Sequence, residues 1–164
     1  MMVGFSKRSS STPSGKSPHS GSYQVGDKTV QYEMKGAEYD SYTDVPYLNQ
    51  KLEFTQDGSA LLDGNGYSIM MAWEKDIMYE TAKHLAHPNA DFLNIGYGMG
   101  YIDRAVESYG CRSHYIIEIH QDVWQKMKED QWMTLHHVHP LLGGWKDYYK
   151  HLPKFDFVFF DTWG

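Results

Sequence analysis

The fold is decided by one stretch of sequence, Leu93-Asn94-Ile95-Gly96-Tyr97-Gly98-Met99-Gly100. It begins in a short apolar run that predicts a strand at 91–95, and it leads into a helix predicted at 101–109. Glycines between a strand and a helix let the backbone turn tightly and approach a ligand closely. A simple loop is the alternative, because a glycine turn by itself is a weak signal.

The spacing of these glycines carries more information than their number. In the dinucleotide-binding pattern G-x-G-x-x-G, the third glycine would fall at residue 101, which is Tyr101. The third glycine is instead Gly100, so the run reads G-x-G-x-G. This spacing favours a methyl-donor nucleoside cofactor over a nicotinamide cofactor.

Strands and helices alternate along the rest of the chain. Strands are predicted at 91–95, 114–119, 135–138 and 155–161, and helices at 101–109, 122–131 and 145–151. Strands separated by helices of about ten residues imply right-handed crossovers and a parallel sheet. The sequence therefore predicts an α/β fold with about four parallel strands, in a cofactor-binding domain at 89–164.

The part of the chain before this domain divides in two. At 27–88 we expect an N-terminal extension, because the turns at Asp57-Gly58 and Asp63-Gly64 predict a hairpin and an apolar stripe predicts a helix at 70–85. Residues 1–26 are rich in Ser, Gly, Pro and Lys and contain no acidic residue. This composition predicts a disordered tail, with an organelle transit peptide as the alternative.

Composition excludes several classes of function. The formal net charge is -6 and the pI is near 5.8, so the clustered cations that bind a phosphate backbone are missing and no nucleic-acid partner is predicted. No apolar run approaches the roughly 20 residues that cross a bilayer, so no membrane partner is predicted either. A single cysteine favours a reducing compartment, and we expect a cytoplasmic or nuclear protein.

Three acidic residues are candidates for the chemistry. Glu118 ends the second predicted strand, 22 residues after Gly96, where a carboxylate can accept hydrogen bonds from ribose hydroxyls. Glu74 and Asp161 form a second candidate set, because two carboxylates suit the paired N–H donors of a guanidinium. Each acid has a plain alternative: a solvated strand end for Glu118, an exposed helix residue for Glu74 and a capping acid for Asp161.

Histidine and cysteine give weaker signals. His136, His137 and His139 are close in sequence, but alternation along a strand sends neighbours to opposite faces, so no metal site is predicted. Cys111 has no neighbouring Lys or His that would activate it within a motif, so no catalytic thiol is predicted.

Five linked segments resemble one family, the guanidinoacetate N-methyltransferases and the related fungal-type protein arginine N5-methyltransferases. The resemblance runs from Tyr47 to Gly164, and the stretch 47–66 is closer to the arginine N5 branch. The five segments are 69–78, 93–100, 114–120, 141–147 and 159–162.

The resemblance implies a Rossmann-like class I methyltransferase fold, with S-adenosyl-L-methionine as cofactor and a protein arginine or small guanidino substrate. It implies that Glu118 holds the ribose and that Glu74 and Asp161 grip the guanidino group. The remaining cofactor-binding residues that it implies are Met70, Met78, Gly96, Gly98, Gly100, Gly143 and Gly144.

The family's fold continues for three strands beyond the one that ends at Asp161. We therefore expect this chain to hold the N-terminal half of the sheet, with the apolar run 157–160 at an exposed edge where a partner chain could pair. The alternative function is that of a truncated, inactive methyltransferase-like fragment that binds cofactor or a partner chain.

Overall fold

The computed structural model describes residues 47–162 and, as backbone alone, three earlier strands. Its strands are β1 (Met2–Val3), β2 (Ser20–Val25), β3 (Lys28–Glu33), β4 (Glu53–Phe54), β5 (Ala60–Leu62), β6 (Ser68–Met71), β7 (Asp91–Ile95), β8 (Ser113–Glu118), β9 (Val138–Leu142) and β10 (Phe157–Phe160). Its helices are α1 (Glu74–Leu85), α2 (Tyr101–Tyr109), α3 (Gln121–Glu129) and α4 (Trp145–Tyr148).

A parallel sheet forms the centre of the described chain. Its strand order is β1-β10-β7-β8-β9, and every neighbouring pair is parallel. Asn94 of β7 lies between Phe159 of β10 and Ile116 of β8, which fixes the register of the three central strands. The predicted α/β fold with four parallel strands at 91–160 is confirmed.

The third of the four predicted strands, β9, lies later in the chain than predicted. The residues before it form a short 3-10 turn, Trp132–Thr134, and the strand itself is Val138–Leu142 rather than 135–138. The strand contains Pro140, which cannot donate a ladder hydrogen bond, and β9 lies at one edge of the sheet, where proline is tolerated. The helix predicted at 145–151 is also shorter, at Trp145–Tyr148.

The segment before the sheet forms a small antiparallel meander and a helix. β4 pairs with β5 and β5 with β6, so the predicted hairpin is present and gains a third strand. The helix begins at Glu74, not at residue 70, because Ser68–Met71 is extended and pairs with β5. The prediction that Met70 lies on the helix was therefore wrong.

The two faces of the sheet are covered differently. One face carries the main core, in which Phe92 and Ile116 pack against apolar residues of α1, α2 and α3. Leu61 of the meander belongs to the same core, so the meander and the sheet share one hydrophobic interior. The other face packs Leu93, Ile95 and Ile117 under α4 and the segment that follows it.

A chain of buried polar groups crosses the main core. Asn94 donates to Asp103 at 2.9 Å, and the two ring nitrogens of His114 contact Asp103 at 3.0 Å and Glu107 at 2.9 Å. Asn94, Asp103 and His114 are fully buried. Burial would lower the pKa of His114, but its hydrogen bonds with Asp103, Cys111 and Glu107 raise that pKa well above the usual value.

Most of the segment predicted to be a disordered tail, 1–26, lies outside the described residues. Within it, the backbone of Met2–Val3 lies parallel to β10, and Ser20–Val25 pairs antiparallel with β3. The edge of β10 that was predicted to be exposed is thus flanked by the two residues of β1. The predicted domain boundaries, 1–26, 27–88 and 89–164, stay predictions. Among the described residues, no helix has the length and apolar character needed to span a bilayer.

Candidate functional site

A cleft opens at the carboxyl ends of the parallel strands, which is where ligands bind in open α/β sheets. Tips of β7, β8 and β10 and the loop after β9 meet there. The described residues that line the cleft are Tyr47, Ile69, Met70, Ile95, Gly96, Gly98, Ile117, Glu118, Ile119, Gly143, Gly144, Trp145, Asp161 and Thr162.

Gly96 brings two strand ends into contact at the floor of the cleft. Its φ is +95°, and a Cβ atom there would lie 2.3 Å from the backbone oxygen of Asp161. The backbone N–H of Asp161 donates to the Ile95 oxygen at 3.2 Å, and that of Gly96 donates to the Ile117 oxygen at 2.9 Å. A glycine at 96 therefore allows the tips of β7, β8 and β10 to close around one site.

Gly98 gives room for a methionine side chain. A Cβ atom at 98, where φ is +55°, would lie 2.7 Å from Met70 Cε. Met70 Sδ lies 3.2 Å from the backbone nitrogen of Met99 and accepts its hydrogen bond. Met70 thus packs on the glycine turn from β6 and lines the cleft, and its role in binding a cofactor stays a prediction.

Glu118 lies at the tip of β8 and is 4% exposed. Its Oε2 accepts from the backbone N–H of Tyr97 at 2.9 Å and its Oε1 from that of His120 at 2.7 Å. Burial raises the pKa of Glu118, and the backbone donors of the turn partly oppose that rise. These backbone hydrogen bonds hold the carboxylate in one orientation at the cleft wall.

A strap formed by residues 47–52 closes the side of the cleft. Asp122, in the first turn of α3, accepts from the Leu52 backbone N–H at 2.9 Å and from Lys51 Nζ at 2.6 Å. The strap places Tyr47 at the cleft, with its ring 4.9 Å from that of His120. Burial, reinforced by the charges of Glu118 and Asp122, raises the pKa of the Tyr47 hydroxyl, so this group is neutral at ordinary pH.

The loop after β9 forms the opposite wall. Gly144 donates from its backbone N–H to Asp147 Oδ2 at 2.9 Å, which starts α4, and Gly143 has a φ of +143°. Trp145 follows directly, with its ring 5.9 Å from that of Phe160. Trp145 remains 36% exposed and Ile119 45% exposed, so the cleft has two apolar groups open to a ligand.

Three residues predicted for the site lie away from the cleft wall. Met78 is 3% exposed and packs in the core from α1. Gly100 begins α2, and a Cβ atom there would meet the Tyr97 ring at 2.4 Å. Glu74 Oε1 accepts from the Met71 backbone N–H at 2.9 Å at the start of α1. Of the two predicted guanidinium ligands, the structure therefore brings only Asp161 to the cleft.

Sequence reasoning missed Tyr47 and Trp145 as cleft residues. Trp145 adjoins the predicted Gly143-Gly144 pair, and that adjacency was a usable signal. Tyr47 reaches the site through contacts between the strap and α3, about 70 positions apart in sequence, and no local pattern reports such a contact.

This fold and this cleft define a Rossmann-like α/β protein with a ligand cleft at the carboxyl ends of its parallel strands. The chain belongs to the guanidinoacetate N-methyltransferase family, whose family model matches residues 47–164. The family resemblance found in the sequence is confirmed. The match covers the meander, the strands β7 to β10 of the sheet and every described residue of the cleft.

Two fungal proteins illustrate the similarity. Protein arginine N-methyltransferase 2 of Candida glabrata is 40% identical over 119 residues, covering 70% of this chain and 29% of the relative. The protein of the same name from Yarrowia lipolytica is 34% identical over 152 residues, covering 84% of this chain and 32% of the relative. The chain thus spans about a third of the length of these curated relatives.

A solved structure supports the fold. Spermidine synthase from Thermotoga maritima matches with a TM-score of 0.50 at 19% identity, covering 87% of this chain and 53% of that one. At this identity the likeness concerns the arrangement of strands and helices alone.

Proposed function

We propose that this chain carries the cofactor-binding part of an enzyme that transfers a methyl group from S-adenosylmethionine to a guanidino nitrogen. The observation that carries the proposal is the meeting of Glu118 and Asp161 at one cleft, across the glycine turn that begins at Gly96. The relatives' names specify arginine N-methylation and the family's name specifies guanidinoacetate, and both substrates contain a guanidino group.

The residues of the cleft fit this cofactor. Glu118 is a buried carboxylate that backbone donors hold in place, as an acceptor for two ribose hydroxyls needs to be. The bare backbone at Gly96 and Gly98 allows close approach of a ligand. The exposed apolar surfaces of Ile119 and Trp145 would cover an adenine ring.

Asp161 would act on the substrate. A guanidinium, with a pKa above about 12, has no free lone pair, so a nitrogen can attack a methyl group only as it loses a proton. A carboxylate beside the cofactor cleft would pair with two N–H groups, localise the positive charge and accept that proton. The bound cofactor supplies the methyl group, and the main task of the protein is to hold the nitrogen in line with it.

We also propose that Glu74 is the second carboxylate that contacts the guanidino group. Its Oε1 accepts from the Met71 backbone N–H at the start of α1, so the carboxylate is held near the strand that carries Met70. The similarity to proteins named protein arginine N-methyltransferase 2 favours arginine within a protein as the substrate, with free guanidinoacetate as the alternative. The cytoplasmic or nuclear location stays a prediction.

The test is transfer of a labelled methyl group from S-adenosylmethionine, with arginine-containing protein extract and free guanidinoacetate supplied in separate reactions. We expect labelled arginine in the first reaction and a fall of at least about 100-fold for Asp161→Asn, the scale of a lost proton acceptor. The control is Asp76→Asn, an exposed acid of α1, which should keep full activity.

Binding of S-adenosylhomocysteine, measured by calorimetry on the same proteins, separates the outcomes. Binding that survives in Asp161→Asn while transfer is lost supports the assigned role. Binding without transfer to either substrate by the unchanged chain contradicts the catalytic proposal and supports a cofactor-binding fragment. Absence of binding contradicts both.

A further inference from the structure

We propose a second site in this protein, a zinc-type divalent metal site formed by Glu107, Cys111 and His137. One ligand atom of each residue, a carboxylate oxygen, the thiol sulfur and an imidazole nitrogen, lies within 4.8 Å of the other two. The site is distinct from the cofactor cleft, because it lies at the amino ends of the strands, on the opposite edge of the sheet. It does not depend on the proposed methyl transfer.

The fold places the three side chains together for separate reasons. Glu107 lies in the last turn of α2, and Cys111 follows four positions later, after Gly110 ends the helix with a φ of +89°. His137 directly precedes β9, and its backbone oxygen accepts from the His114 N–H at 2.9 Å as the parallel ladder begins. Cys111 follows the end of α2, and His137 precedes β9, 26 residues further along the chain. The fold brings these two positions together.

The distances suit a tetrahedral metal. Cys111 Sγ lies 3.5 Å from Glu107 Oε1, and His137 Nε2 lies 2.8 Å from Glu107 Oε2. Ligands that sit about 2.0–2.3 Å from zinc are roughly 3.3–3.8 Å from one another. The sulfur–oxygen pair already has that separation, and the imidazole nitrogen lies closer than that to the other carboxylate oxygen. All three ligand atoms fall within 4.8 Å of one another, and rotations of these half-buried side chains would arrange them around one ion.

The chemistry of the donors selects the metal. A thiolate, a neutral imidazole and a carboxylate together prefer a borderline ion such as Zn²⁺ over Mg²⁺ or Ca²⁺, which favour oxygen donors alone. A thiolate and a carboxylate balance both charges of the ion. Three protein ligands leave a fourth position, which water or the neighbouring imidazole of His136, whose ring lies 5.1 Å from that of His137, can fill.

A buried partner orients the carboxylate ligand. His114 Nδ1 contacts Glu107 Oε1 at 2.9 Å, and the other nitrogen of His114 contacts the fully buried Asp103 at 3.0 Å. Metal-binding carboxylates commonly have such an outer hydrogen-bond partner. The structure therefore supplies both the ligands and the group that holds one of them in position.

The sequence prediction of no metal rested on the three neighbouring histidines, and the three ligands of the present site include one of them, His137. Its other ligands come from α2 and the turn that follows. A metal here would tie the end of α2 to the start of β9 and stabilise the fold at the edge away from the cofactor.

The test uses the full chain, freed of metal by chelation and then titrated with Zn²⁺ in competition with a chromogenic chelator. We expect one tight site per chain, and Co²⁺ in place of Zn²⁺ should give the near-ultraviolet absorption of thiolate-to-cobalt charge transfer. Loss of a group that hydrogen-bonds to a ligand already weakens metal binding about 10- to 100-fold. Cys111→Ser and His137→Gln each alter a ligand itself, so each should weaken Zn²⁺ binding at least tenfold.

The matched control is His139→Gln, an exposed histidine that stacks on Tyr115 outside the cluster and should bind Zn²⁺ like the unchanged chain. Circular dichroism shows whether each variant is folded, and the cobalt spectrum of the unchanged chain tests the thiolate ligand without any variant. Absence of a stoichiometric site, absence of the thiolate band, or full affinity in Cys111→Ser would overturn the proposal.

Discussion

At the scale of single residues, Gly96 determines whether the cleft can form. A Cβ atom at this position would lie 2.3 Å from a backbone oxygen of Asp161, which no side-chain movement can relieve. Gly96→Ala should lose about 1–2 kcal/mol through the positive φ and roughly 1–3 kcal/mol more through the clash. Urea denaturation measures this loss, and S-adenosylhomocysteine binding should weaken with it.

Gly58 provides the matched control for that substitution. Its φ is +69°, but the space around its missing Cβ is open to at least 4 Å. Gly58→Ala should therefore show the backbone strain alone, about 1–2 kcal/mol. Equal losses in the two variants would show that the contact with Asp161 does not constrain residue 96.

If Glu118 holds the ribose as proposed, cofactor binding should depend on pH. Burial raises the pKa of the free carboxyl group, whereas ribose hydroxyls donate to the ionised form and would lower it in the complex. Affinity for S-adenosylhomocysteine should therefore increase with pH and level off above the raised pKa of the free protein. Glu118→Gln removes a charged acceptor and should weaken binding about 10-fold or more at neutral pH.

Calorimetry across the acidic range checks both parts of this prediction. The Glu118→Gln protein should lose most of the dependence on pH, because the titrating group is gone. Glu129→Gln, an exposed acid at the end of α3, should match the unchanged chain. A variant at 118 that retains both the affinity and the pH profile would assign the ribose to another residue.

At the scale of elements, the sequence predicted best where the signal is local. The glycine turn and Glu118 belong to one strand–turn–helix–strand unit, so their spacing along the chain is enough to bring them together. The strand at Ser68–Met71 was predicted as helix, because Met70 and Trp73 fit helical spacing and only pairing with β5 makes the segment extended. The position of Val138–Leu142 likewise depends on its ladder with β8.

The contact between α2 and β8 depends on a buried charge that no local pattern reveals. His114 is fully buried between Asp103 and Glu107, and its removal would leave the Asp103 carboxylate buried with Asn94 as its described hydrogen-bond donor. His114→Leu should lose about 3–5 kcal/mol of unfolding free energy. Urea denaturation in the presence of a chelator measures this loss without a contribution from bound metal.

His139→Leu is the control for that measurement. This histidine lies on the neighbouring strand β9 and is exposed, with its ring against that of Tyr115, so its replacement should change the free energy by no more than about 1 kcal/mol. A loss at His114 as small as the one at His139 would show that the buried Asp103 finds another partner or becomes protonated.

At the scale of the whole molecule, the proposed cofactor binding should be linked to stability, because the cleft is built from segments that are far apart in the sequence. Its walls come from the strap, the meander, the tips of β7, β8 and β10 and the loop after β9, and these parts assemble only in the folded chain. A ligand that binds the folded state alone, at 100 times its Kd, stabilises it by about 2.7 kcal/mol. For a domain of this size, the melting temperature should rise by about 5–10 °C.

Differential scanning fluorimetry with S-adenosylhomocysteine, at a multiple of the Kd set by calorimetry, measures this shift. A nicotinamide dinucleotide at equal concentration should produce none, because Tyr101 takes the place of the third glycine that its pyrophosphate turn needs. Glu118→Gln should reduce the shift in proportion to its lost affinity, since the same linkage applies to both proteins. A calorimetric signal without any thermal shift would mean that the ligand binds folded and unfolded chains alike, which would contradict a site assembled at the strand ends.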